Sequence, residues 1–199
     1  MKKLIAILLV LTTLVAFAAC GKKTDGAETA TTAPQIELPE SALTLLNDIW
    51  AGFGEDEQFP VMGGNYDEDE AKNNIVDGAP GKYDLANDGM TTVLMVPADQ
   101  LSNVTEAASL MHGMMANNFT CGAYKLADGA DVKAFGEAIY KSISEAQFLC
   151  GAPEAVFVAT LGDGYVVAAY GMTDLMTAME TKMTAAYPGT VVLQNKAIG

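Results

Sequence analysis

The chain has 199 residues, half of them hydrophobic, and sets 25 acidic side chains against 11 lysines with no arginine, a formal net charge of -14. Such a surface repels nucleic acid and anionic headgroups, and without arginine it lacks the bidentate grip on phosphate, so nucleic-acid binding is excluded. The length suits one domain with a full core.

Residues 1–19 begin with Lys2 and Lys3, run through an apolar stretch from Leu4 to Phe17 and end on small residues, the pattern of a secretory leader. The stretch is shorter than a comfortable bilayer span. Residues 20–38 are small and polar without periodicity, a flexible tether whose reach by coil scaling is about 20–25 Å. A single domain is expected over residues 39–199. Pro39 opens a helical stretch in which Leu46, Ile49, Trp50 and Phe53 share one face, with Trp50 a core anchor.

Residues 55–89 are loop-rich and acidic, carrying Glu55, Asp56, Glu57 and then Asp67, Glu68, Asp69, Glu70 among several glycines. Calcium-loop registers fail there: starting at Asn65, Glu70 stands where glycine is required and Val76 where the bidentate glutamate belongs. Gly78 to Lys82 is too short for a phosphate loop. The segment reads as a solvated acidic loop.

After Gly89 the pattern becomes regular. Thr91–Val96 reads as a strand stopped by Pro97, and Leu101, Val104, Ala108, Met111 and Met115 fall at helical spacing. Phe119–Leu126 reads as a strand. Asp131 is placed to cap a helix burying Val132, Phe135, Ile139, Ile143 and Ala146, with Lys133, Glu137, Lys141 and Glu145 on its wet face. Ala155–Gly171 holds two apolar runs about Asp163-Gly164, a hairpin signal. A two-residue turn sets Leu161 opposite Val166, Ala159 opposite Ala168 and Phe157 opposite Tyr170. Both faces are apolar, so the hairpin belongs in the middle of its sheet. Thr173 is expected to cap a helix with Leu175, Met176, Met179 and Met183 inward, ended by Pro188-Gly189, and Thr190–Leu193 reads as a closing strand. The fold class is α+β: helices packed on a mixed or mainly antiparallel sheet around a central hairpin.

The Phe17-Ala18-Ala19-Cys20 junction resembles the lipobox of bacterial lipoproteins. That resemblance implies lipid on the Cys20 thiol, cleavage before Cys20, acylation of the new N-terminus, and a cell-membrane anchor on the outer, extracytoplasmic face. With the segments AASLMHGMMANNFTCGAYKLADGADVKAF and GDGYVVAAYG, the chain resembles the domain-of-unknown-function lipoproteins of low-GC Gram-positive bacteria. The family supplies neither an activity nor site residues.

Chemistry is sparse. His112 is the single histidine, which excludes multi-histidine metal sites; no serine lies in a nucleophile elbow and no Cys-x-x-Cys occurs. No catalytic residue, metal site or cofactor is assigned. Cys121 and Cys150 remain after Cys20 is modified, either bridged or as two buried thiols. Met111 and Met115, and then Met176, Met179 and Met183, continue helical stripes and read as core filler rather than a copper(I) site, with Met114 beside His112 the only pair off the main stripe. The expected role is a non-catalytic binding or interaction module held to the membrane through Cys20, with an envelope protein as partner. The alternative is a small-molecule or metal-ion binding lipoprotein with Tyr124, Tyr165 and Tyr170 lining a pocket. A hydrolase comes third and requires His112 beside Ser109 or an acid.

Overall fold

The computed structural model describes residues 37–149 and 151–198. The leader, Cys20, nearly all of the tether and Cys150 lie outside the described residues. No helix among those described is long and apolar enough to cross a membrane.

An eight-stranded, wholly antiparallel sheet carries helices on both faces, so the fold is α+β as expected. The central strands are β5 (Phe119–Leu126), β6 (Ala155–Leu161) and β7 (Tyr165–Gly171); all fourteen residues of the hairpin β6–β7 are buried. Helices α1 (Ala42–Ala51) and α4 (Thr173–Ala186) cover one face, and α3 (Val132–Glu145) covers the other. This is why the strands read as continuous apolar runs: each side chain meets a helix layer whichever way it points. The outer strand β8 (Thr190–Ala197) pairs with β6 and is twice the length the pattern suggested.

Local chemistry explains the helices. Ser41 caps α1 by accepting from the Thr44 N–H at 3.0 Å, and Leu45, Leu46, Ile49 and Trp50 then face the sheet. Asp131 caps α3, accepting from the N–H groups of Lys133 and Ala134 at 3.0 Å each. Lys133–Glu137 and Lys141–Glu145 pair along its exposed side. Thr173 is the first helical residue of α4 rather than its cap; its N–H is satisfied by the Glu154 carboxylate at 2.9 Å.

Three larger expectations also fail. The hairpin turns over three residues, Gly162-Asp163-Gly164, which pairs Leu161 with Tyr165 and Ala159 with Val167. Gly162 takes φ +56°, open to glycine at little cost, and the one-residue change of register redistributes the side chains. Phe157, Leu161, Tyr165 and Val167 now share the α1–α4 face, while Val158, Val166 and Tyr170 share the α3 face. Second, Thr91–Val96 is no strand: α2 (Gly89–Thr92) is a single helical turn, followed by irregular backbone.

Third, the stripe from Leu101 to Met115 is not a helix. A 3-10 turn over Ala98–Asn103 leads into strand β4 (Val104–His112), which a bulge near Thr105 bends. Val104 and Ala108 fall on opposite faces of the sheet. The composition favours helix, but pairing overrides it: β5 occupies one edge of β4, while two short strands share the other, β1 (Val61–Gly63) on Leu110–His112 and β3 (Gly81–Tyr83) on Ala107–Ser109. Those strands, with the two-residue β2 (Val76–Asp77), are hidden in the acidic segment. Gly63 and Gly81 meet there backbone to backbone, and a side-chain carbon on either would collide with the other's main chain.

Candidate functional site

Two of the three candidate tyrosines act together. Tyr124 rises from the middle of β5 over Gly122, whose missing side chain makes room for the phenol, and its hydroxyl donates to the Leu94 carbonyl at 2.8 Å. Tyr170 on β7 donates to the neighbouring Val93 carbonyl at 2.9 Å. Burial pushes the pKa of both hydroxyls up, and that of Tyr83 beside them to about 12, so all three stay neutral at ordinary pH and Tyr124 and Tyr170 serve as donors. Pinned at two successive carbonyls, the backbone turns sharply, and Met95 takes φ +57°, in the left-handed region.

Tyr165 is elsewhere. It lies on the α1–α4 face and donates to the Pro39 carbonyl at 2.7 Å. Lys125 bridges the Glu40 carbonyl and the Glu106 carboxylate, each at 3.1 Å, and Glu106 accepts from the Ala42 N–H at 3.2 Å. These bonds seat the start of the domain against the ends of β5 and β7, beside an open groove of about 490 Å³ reaching the 127–129 and 162–164 loops. The three tyrosines therefore line no common pocket.

His112 closes β4. Its ring stacks on Phe59 at 5.5 Å and 19° between planes, and its Nδ1 accepts from the N–H groups of Met114 at 3.1 Å and Met115 at 3.4 Å. Ser109 points to the opposite face, is buried, and donates to the Gly64 carbonyl at 2.8 Å. His112 and Ser109 are thus not brought together. Among the described residues no three His, Cys, Asp or Glu side chains are grouped to hold a metal ion. Asn65, weighed as a calcium ligand, is buried, and its Oδ1 accepts from the Asp84 N–H at 2.8 Å. Asp67 and Asp69 accept from backbone N–H groups two residues on. Cys121 is buried beneath α1, has no disulfide partner among the described residues and is raised in pKa by burial; Cys150, the other half of the expected pair, lies outside the described residues.

What the fold assembles instead is a groove of about 590 Å³ between three segments distant in sequence: Thr92–Met95, the turn Met114–Asn117, and Gln147–Leu149 after α3. Phe148 leans on the Tyr170 ring at 5.4 Å, and Asn117 donates to the carbonyl of Gly151, beyond the third segment, at 2.7 Å. Leu149 is 98 % exposed, Met114 82 % and Met115 48 %. None of the eleven lining residues is charged. Sequence reasoning missed this site because it read Met115 into a buried helical stripe. Gly113 and Asn117-Asn118, turn formers around the methionines, were the signal against that stripe.

Compared with protein-family models, curated proteins and solved structures, the chain matches none.

Proposed function

We infer that this chain is a membrane-anchored extracytoplasmic lipoprotein whose domain is a non-catalytic binding module, docking a neutral, apolar segment of another envelope protein in the Met95–Met114–Leu149 groove. One observation carries the reading: in a chain with 25 acidic residues, an open groove is lined by eleven residues without a charge, and its most exposed members are methionine and leucine. Contiguous exposed apolar ground on a soluble domain is where partners dock. Charged residues are depleted at interface centres while methionine and aromatic groups are enriched, and flexible, polarisable thioethers adapt to a partner's shape. The leader and the Cys20 junction support the anchor, and a tether of some twenty residues keeps the domain near the membrane.

A photoreactive residue in place of Leu149, with a second in place of Glu68 on the acidic loop, tests the docking surface in living cells. The expected result is a discrete adduct from position 149, absent from position 68 and lost when Met114→Asp is added. Equal labelling from both positions sinks the groove as the binding surface.

A further inference from the structure

We propose that the same groove holds a soft monovalent metal ion, copper(I) or its redox-inert counterpart silver(I), between the thioether sulfurs of Met95, Met114 and Met115. The proposal rests on the groove being the binding surface and names a ligand class for it. Three of the chain's eleven methionines line this one groove. Among the described residues the lining has no carboxylate, imidazole or thiol, so these offer nothing to zinc and no anionic oxygen to calcium or magnesium, whereas thioethers select copper(I).

The sulfurs are also presented on fastened backbone. Met114 and Met115 sit on a turn whose two N–H groups are gathered by His112 Nδ1, and the imidazole is itself held against Phe59. Met95 lines the groove from another segment, in a left-handed backbone conformation that residues with side chains rarely adopt. Strain of this kind collects at ligand clamps, and here Tyr124 and Tyr170 maintain it through the two preceding carbonyls.

Met95 packs in part against the α3-face core, but core filling does not account for the exposed Met114 and Met115. Met176, Met179 and Met183 are buried against the sheet, as core methionines should be, while Met114 stands in solvent. The chain's net charge of -14 attracts cations to its surface in general. Because the site is open on its outer side, a soft donor from the docked partner can complete the coordination, which links the metal to the docking reading.

The test uses the mature chain carrying Cys20→Ser and Cys150→Ser, so that thiolates at those positions do not compete, with methionine methyl groups labelled for NMR. Silver(I) is titrated in chloride-free buffer, and copper(I) anaerobically against a competing chelator. The expected result is one equivalent bound more tightly than about micromolar. The methyl resonances of Met95, Met114 and Met115 should shift while those of Met176, Met179 and Met183 stay. Met95→Leu or Met115→Leu preserves volume and apolarity, and each should weaken binding by about tenfold or more at an unchanged melting temperature. Absence of saturable binding, or binding undiminished in the triple leucine variant, overturns the metal site. Crosslinking from position 149 that persists in that variant leaves the docking surface standing, so the two readings fail separately.

Discussion

Tyr124 shows how one hydroxyl can shape a surface it does not reach. Its phenol is wholly buried, and its one bond fixes the Leu94 carbonyl on the segment that frames the groove. Tyr124→Phe leaves that carbonyl buried without its donor. Urea unfolding should report a loss of about 1–3 kcal/mol with an unchanged denaturant slope. His112 acts in a similar way on the opposite wall. An asparagine there can offer an oxygen to the two N–H groups where alanine cannot. His112→Ala should therefore speed amide exchange at Met114 and Met115, and His112→Asn should restore much of the protection. Cys121 makes a third residue-scale case. Burial beneath α1 both covers its sulfur and raises its pKa, so a thiol reagent should leave it unmodified in the native domain and label it only on unfolding. An unfolded, unreduced sample in which Cys121 still fails to react would show it bridged.

At the scale of elements, α4 and β4 give opposite lessons. Met176, Met179 and Met183 form the buried stripe that their spacing implies, and Met179→Ala should cost about 2–5 kcal/mol, lowering the melting temperature by several degrees. Asp131→Ala should remove about 0.5–2 kcal/mol through the lost cap of α3, whose N-terminus was legible in the sequence because capping is a local interaction. Strand β4 was not legible. Its residues suit a helix and even show helical spacing, but β5 claims one edge and the other is taken by β1 and β3, three-residue strands that lie well upstream in sequence. The hairpin is an intermediate case: its existence and central place were readable, whereas its register turned on whether the loop took two residues or three.

For the whole molecule, the buried phenols predict an alkaline limit to stability. Tyr83, Tyr124 and Tyr170 are raised mainly by burial, and Tyr187 by burial together with its hydrogen bond to the Asp48 carboxylate. In the unfolded chain these groups ionise near pH 10; in the folded domain Tyr83 does so only at about 12. The neutral form is favoured by folding, so the contribution is complete below pH 10 and is lost as pH climbs toward and past 12. Unfolding free energies should be flat in this respect between pH 7 and 9 and fall steeply above 10, with tyrosinate absorbance appearing together with unfolding. Full tyrosinate absorbance at pH 11 in a domain that stays folded would contradict the burial argument. By itself the sequence determined the acidity, the Asp131-capped helix, the inward stripe of α4 and a central hairpin buried on both faces, because each follows from composition or from neighbours a few residues apart. Only the tertiary structure decided the strand state of β4, the parting of Tyr165 from Tyr124 and Tyr170, and the gathering of Met95, Met114 and Leu149 into one groove. Those outcomes depend on which distant backbone pairs with which, and local spacing carries no information about that choice.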